Sequence, residues 1–386
     1  MAPPIAVVAM VVIACGPAAP SPAPSITAVR WTGLEVGEVQ FDGAFDNPYG
    51  QVFCGVAFGN GFVLVGRSHE ADGRARGAAW TSPDGEAWTR HPDPDGLFHD
   101  AYLEQVATDG RRVVALGWRA PWADARRGEY VTWISEDGGA TWVRHDDVES
   151  TELGAIDAEE IVGSPAGAGF LAWGAPPDDL HSRLLWSPDG LAWQRVDYPG
   201  AGDGDITDVA PFGGGFVAVG GGHWEGQIPP REAARTWFSS DGRTWQASSV
   251  TDGEHTIHAA YPIAGGVYAV GQSHFGGVEP SMTWQSSDGR SWHTLGNEAG
   301  HSPFSASNGS QVARFFWQDD RSVSLSNDGV DWRTVAAHVP AAEWDGGMVF
   351  GRNGLLLLAA LLPHEAGVEY VHSGVIYLRG TGLVAG

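Results

Sequence analysis

One short pattern recurs six times along the chain: a serine, an aspartate, a glycine and a closing tryptophan between two apolar runs. It reads "AWTSPDGEAW" (Ala79–Trp88), "TWISEDGGATW" (Thr132–Trp142), "LWSPDGLAW" (Leu185–Trp193), "TWFSSDGRTW" (Thr236–Trp245), "TWQSSDGRSW" (Thr283–Trp292) and, more weakly, "SLSNDGVDW" (Ser324–Trp332). Its aspartates are Asp84, Asp137, Asp189, Asp241, Asp288 and Asp328, at intervals of 53, 52, 52, 47 and 40 residues. Such a period constrains architecture before any local prediction is made, because each repeat must be one supersecondary unit stacked on the next.

A second element precedes each copy: "GFVLVG" (Gly61–Gly66), "RVVALG" (Arg112–Gly117), "GFLAWG" (Gly169–Gly174), "GFVAVG" (Gly215–Gly220) and "GVYAVG" (Gly266–Gly271). Degenerate forms follow at "QVARFF" (Gln311–Phe316) and "GLLLLA" (Gly354–Ala359). Upstream of each lies a short apolar run ending in Gly or Asn. Each period therefore reads as four strands, and the 55 Gly and 18 Trp suit many short strands joined by tight turns. The expected fold is all-β, a β-propeller of about seven four-stranded blades, six of them with the Asp-Gly-Trp turn. A β-sandwich would not explain the fixed order of two distinct elements. The N-terminal "ITAVRWTGLEV" (Ile26–Val36) looks like an orphan fourth strand, with Trp31-Thr32 echoing Trp88-Thr89. Pairing with the C-terminal strands would close the ring and remove two exposed sheet edges.

The chemistry of the turn is local. An Asp or Ser side chain accepts hydrogen bonds from backbone N–H groups two residues on, Gly supplies a residue with φ > 0, and Trp covers the turn. Ser135-x-Asp137-Gly138-Gly139-x-Thr141-Trp142 resembles the Asp-box, or BNR repeat, of sialidases and several other propellers. The resemblance runs from about Val52 to Trp332 and implies a sialidase-like propeller. The other five copies are one residue shorter between Asp and Trp, which predicts a tighter turn. Six identical constellations cannot all be active sites, so the six aspartates are assigned a structural role. Eleven of the 18 Trp fall within these segments. Of the rest, Trp118 and Trp173 read as core, while Trp122 and Trp224 sit in loops.

In a four-stranded blade the third-to-fourth turn lies on the face opposite the second-to-third loop and the link to the next blade. A ligand site is therefore expected on the face without the boxes, near the axis. The loops there offer Arg67, His69, Arg119, Trp122, His181, His223, Trp224 and His274 as candidate ligand-binding residues. Simple solvation of polar loops is the bland alternative. Glu70, Asp124, Asp179, Glu225 and Glu279 are acids in the same loops, with no means of choosing a catalytic pair among them. No metal site is assigned, because spacing across blades does not show whether the histidines converge. Asp203-Gly-Asp205 with Asp208 is a weakly calcium-like run that lacks the glycine and closing Glu of an EF-hand loop. No other cofactor is implied.

The net charge of −25, with every one of the 22 basic residues an Arg, argues against nucleic acid and against adsorption to anionic lipid. Residues 1–15, "MAPPIAVVAMVVIAC", read as a lipoprotein-type signal peptide. Cys15 closes a lipobox-like "VIAC" and is the expected lipidation site, although no Lys or Arg precedes the apolar run and Val12 stands where Leu is commoner. Residues 16–25 form a Pro/Ala/Ser-rich tether and residues 26–386 a single propeller domain. The expected location is extracytoplasmic, on a bacterial cell envelope, with membrane contact only through the lipid. Cys54 then lacks an intrachain partner and reads as a small buried thiol.

Two functions follow. The resemblance implies an exo-sialidase or another glycoside hydrolase of that superfamily, and the family holds its substrate carboxylate with three arginines. The Arg-Ile-Pro tripeptide of the family's first arginine is absent, and Arg67, Arg119 and Arg314 are imperfect stand-ins. Acidic loops are also a poor setting for an anionic substrate. The favoured reading is a monomeric, non-catalytic module that binds a glycan or protein on the face opposite the boxes.

Overall fold

The second strand of each repeat is apolar at consecutive positions because both of its faces are covered. In the first repeat Phe62 and Leu64 join one cluster with Leu356, Leu358 and Tyr377, while Val63 and Val65 join another with Val113, Ala115 and Trp133. The same period-2 split recurs at Val113/Ala115 and Val114/Leu116. A computed structural model describes residues 29–40, 51–69, 75–93, 95–119, 130–146, 152–176, 179, 181–201, 204–221, 234–250, 255–272, 281–298, 304–316, 321–336, 339, 347–361, 372–382 and 384–385. Within them the strands form seven blades of mostly four antiparallel strands; in the first six the order of those strands runs from the axis outward, and the fifth adds Ser249–Val250 parallel to its outer strand. Seven apolar clusters lie between successive blades.

The innermost strands are Gln51–Phe58, Ala101–Thr108, Asp157–Gly163, Asp205–Phe212, Thr256–Ile263, Phe304–Ser307 and Met348–Phe350, and each contacts the next around the ring. The seventh blade takes its fourth strand from the N-terminus: Gly33–Gln40 pairs antiparallel with His372–Thr381. Closure is as the sequence predicts, and Val29–Arg30 adds a short pairing with Val384–Ala385. Trp31 occupies the place of a box tryptophan. Its ring lies against Gly380, its backbone N–H donates to Gln311 Oε1 at 2.6 Å, and Gln311 Nε2 donates to Trp31 O at 3.1 Å and to Asn327 Oδ1 at 2.9 Å.

The boxes have one geometry with one variant. In five of them the aspartate Oδ1 accepts the N–H groups two and three residues on, as at Asp241 from Arg243 (2.9 Å) and Thr244 (2.8 Å), and the indole N–H donates to the glycine carbonyl, 3.0 Å at Trp245. Burial raises these carboxyls. The hydrogen bonds outweigh it and hold Asp84, Asp189, Asp241 and Asp328 below the usual aspartate range. At Asp288 the N–H of Arg290 is the leading influence, in the same direction. The longer second box is the wider turn the spacing predicts. Asp137 skips to the N–H of Thr141 at 2.8 Å, and the buried Trp142 indole N–H has no acceptor among the described residues.

Each box also joins two blades. Gly242 has φ +75°, and a Cβ there would fall 2.5 Å from Trp186 Cδ1 of the preceding blade. Gly85 meets Tyr377, Gly138 meets Phe58 and Gly329 meets Tyr268 in the same way. The glycine is thus required twice, by backbone conformation and by the neighbouring ring.

Candidate functional site

The face opposite the boxes is organised by a repeated irregularity. In the first five blades the innermost strand slips register against its neighbour, between Val52/Cys54, Leu103/Gln105, Ala158/Glu160, Ile206/Asp208 and Ile257/Ala259. A bulge adds one unpaired residue and re-aims its neighbours. Here it frees Phe53, Glu104, Glu159, Thr207 and His258 from the ladder. Residues at or beside the bulge then tie blade to blade. Cys54 Sγ donates to Val106 O at 4.0 Å, Gln105 Nε2 to Glu159 O at 2.9 Å and Thr207 Oγ1 to Ile257 O at 2.5 Å.

The same register position supplies consecutive carboxylates, Glu160 and Asp208. Asp208 is fastened on both oxygens, Oδ1 accepting Val209 N–H at 2.7 Å and Oδ2 accepting Ala260 N–H of the next blade at 2.7 Å. Burial pushes its carboxyl up against the pull of those two donors. Glu160 is raised further, first by its protein surroundings and then by the charges of Asp208 and Glu159. Its charge also bears on Cys54 of the first blade and Tyr261 of the fifth. Glu160 is exposed on its inner strand, and the like charges of Asp208 and Glu159 beside it disfavour its ionised form. Among the described residues no group of three or more His, Cys, Asp or Glu is placed to hold a metal ion.

Beside the acids lies a row of rings. Tyr102, Trp118 and Tyr130 are cross-strand partners in the second blade. Trp118 and Tyr130 lie 3.9 Å apart, and Tyr102 approaches Phe53 of the first blade at 6.3 Å. The Arg67 guanidinium sits 5.5 Å over Phe53. Glu104 joins the row: burial raises its carboxyl, while a hydrogen bond from Trp118 and the charge of Arg67 oppose that rise. The Tyr130 hydroxyl accepts Ala158 N–H at 2.8 Å, which fixes the row against the third blade. Phe53, Arg67, Tyr102, Glu104 and Trp118 are all half-buried.

The sequence candidates are placed unevenly. Arg67 belongs to the aromatic row. His69 ends the same strand, opposite Ala75. Arg119 pairs with Asp146, which Arg144 also holds at 2.7 Å. His181 Nδ1 lies 3.6 Å from Asp205 Oδ1 between the third and fourth blades, and Asp205 also accepts Ser182 N–H at 3.0 Å. Arg314 stacks on Trp332 at 3.7 Å. Arg67, Arg119 and Arg314 thus have three separate contacts. Trp122, His223, Trp224, His274, Asp203 and Cys15 lie outside the described residues. Trp173 is core, as read, whereas Trp118 is only half-buried.

The bore and ring residues Phe53, Tyr102, Glu104 and Tyr261 were not singled out by sequence. Asp205 and Asp208 entered the sequence reading as part of a calcium-like run and Glu159 and Glu160 were not singled out, yet the inner strands begin at Asp157 and Asp205. Their signal is the charge inside otherwise apolar first strands, "DAEEIVG" and "DITDVAPF".

No protein-family profile matches the chain, and no curated protein matches it. Solved structures do. The acylaminoacyl peptidase of Pyrococcus horikoshii is 10% identical over 90% of this chain and 54% of its own, with a TM-score of 0.55. This chain therefore spans about half the length of that peptidase. The β-propeller domain of the Trilobed protease from Pyrococcus furiosus is 9% identical, covering 87% of this chain and 97% of its own, at a TM-score of 0.53. Trypanosoma rangeli sialidase in complex with sialic acid is 12% identical over 92% of this chain and 58% of its own, with a TM-score of 0.43. The first two likenesses show a propeller fold alone, and a fold does not choose an activity.

Proposed function

We propose that this chain is a non-catalytic binding propeller, held on the outer side of a bacterial membrane through Cys15, which takes a glycan on the face opposite the Asp-boxes. The observation that carries the reading is the row Phe53–Tyr102–Trp118–Tyr130 with Arg67 and Glu104 among its rings. The half-buried rings of Phe53, Tyr102 and Trp118 offer apolar faces to the C–H faces of a pyranose at small conformational cost, with buried Tyr130 behind them. A cation and an acid set between them supply both donors and acceptors for hydroxyl groups. The two charges offset one another, which favours a neutral sugar over the anionic substrate of a sialidase. Hydrolysis is disfavoured because Asp208, the acid whose charge weighs most on Glu160, is spent on two backbone N–H groups.

Glycan-array binding by residues 26–386 tests the proposal. Trp118→Ala and Tyr102→Ala are each expected to weaken binding about tenfold, roughly 1.4 kcal/mol, with the fold unchanged by circular dichroism. Release of a fluorogenic aglycone from a neutral or acidic glycoside, lost in Glu160→Gln, would make the chain a hydrolase and overturn the non-catalytic reading. Retained glycan binding in both ring variants would remove the proposed site.

A further inference from the structure

The bulge in the second blade gives one acid two duties. Between Leu103 and Gln105 the inner strand slips against Val113–Arg119, and Glu104, the extra residue, makes no ladder pairing. Its carboxylate accepts a hydrogen bond from Trp118 and lies in the field of Arg67, which reaches it from the first blade. Burial raises the carboxyl, and those two neighbours favour its charged form. An indole has one donor, its Nε1–H, so the hydrogen bond restrains the Trp118 ring where it lies 3.9 Å from Tyr130.

Arg67 has the complementary need. Its guanidinium sits 5.5 Å over Phe53, and its Nε is buried with no hydrogen-bond partner among the described residues. Neighbouring arginines are engaged elsewhere: Arg119 and Arg144 share Asp146, and Arg90 donates to Ser68 Oγ at 2.5 Å. The charge held over the rings is therefore that of Arg67, and Glu104 is set against it from the adjoining blade.

We infer that Glu104 sets the charge class of the bound sugar: opposed to Arg67 across two blades, it makes the ring-lined site select a neutral pyranose, and its loss turns the same site toward a carboxylated one. The inference rests on the glycan reading above. Glu159 and the other acids of the third and fourth inner strands give the mouth a negative background, which is common to every variant and cancels when variants are compared. Removing the Glu104 charge leaves Arg67 unopposed, and a guanidinium suits a planar carboxylate. Removing Arg67 instead leaves an acid among aromatic faces, a setting that suits an ammonium.

The test is a selectivity ratio measured on the full chain. Immobilised gluco-, galacto- and mannopyranosides are each offered as the neutral sugar, its uronic acid and its amino sugar, at neutral pH and low salt. In Glu104→Gln the ratio of uronic-acid to neutral binding is expected to rise about tenfold, and in Arg67→Gln the ratio of amino-sugar to neutral binding should rise by a similar factor. Both gains should shrink at about 1 M salt, and the double variant should return both ratios to near the wild-type values. A purely structural role for the two residues would instead lower the melting temperature and weaken all three sugar classes alike. Unchanged ratios in a single variant that is folded by circular dichroism, or a double variant that keeps either gain, would overturn the inference. The two single variants probe it with opposite signs, so loss of folding in one leaves the other decisive. Wild type that binds a neutral sugar, with ratios indifferent to both substitutions, removes the role of Glu104 alone, whereas wild type that binds none of the neutral sugars refutes the glycan reading itself.

Discussion

Replacing Gly242 by alanine tests whether the box glycine is a joint between blades or only a turn residue. At φ +75° an L-residue is strained by about 1–2 kcal/mol. The new Cβ would also lie 2.5 Å from Trp186 Cδ1, 2.9 Å from its Nε1 and 3.2 Å from Phe216 Cε2. Trp186 cannot yield cheaply, because its indole N–H donates to Ala168 O at 2.7 Å and Arg243 lies 5.0 Å over the ring. Overpacking of this kind costs about 1–3 kcal/mol more, for a total of roughly 2–5 kcal/mol. Gly309 is the internal control: its φ is +82° and a Cβ there would meet nothing within 4 Å, so Gly309→Ala carries the backbone strain alone. Thermal and urea unfolding followed by tryptophan fluorescence should show Gly242→Ala as the less stable variant by several degrees. Equal losses in the two variants would refute the interblade contact and leave the glycine as a turn residue.

Other substitutions address the remaining joints. Asp241→Ala removes the acceptor of two backbone N–H groups, a loss comparable to that of a helix cap at about 1 kcal/mol, and should lower the melting temperature while the folded fraction binds ligand as before. Gln311→Ala strips Trp31 of two hydrogen bonds and Asn327 of one at a site where Gln311 is buried, and should cost about 1–3 kcal/mol in denaturant unfolding; an unchanged midpoint would mean that the closing strand needs no latch. Glu160 has a folded-state carboxyl raised above its ordinary value near 4.3. The folded state therefore holds more protons than the unfolded state above that pH, and wild-type stability falls as pH rises through the window. Glu160→Gln should accordingly melt higher than wild type at pH 8 and converge with it toward pH 4; a constant offset across that range would contradict the assignment.

Much of the ring was legible because its determinants are local and repeated. The Ser-x-Asp-Gly turn, the doubly buried second strand and the Trp31-Thr32 echo each depend on residues close together in the chain, and six copies average out local irregularity. The interblade role of Gly242 was not legible, since Trp186 lies 56 residues away. The bulges were hidden for a related reason: an extra residue in a strand leaves composition unchanged, and the charged starts of the third and fourth inner strands, Asp157–Glu160 and Asp205–Asp208, do not read as strand. The candidate site was legible only in part. Face logic led to Arg67 through its place at the end of a second strand, whereas Phe53, Tyr102 and Glu104 belong to first strands and meet it only when two blades close side by side.

The central claim is that ligand binds across the first two blades on the face away from the boxes, and amide hydrogen exchange with and without a bound glycan tests it most directly. The account predicts slower exchange on binding at Gln51–Cys54, Ala101–Gln105 and Gly117–Arg119, with the six box turns unchanged. Slowing confined to the box turns, such as Ser135–Trp142, with no change at those strand ends, would contradict it.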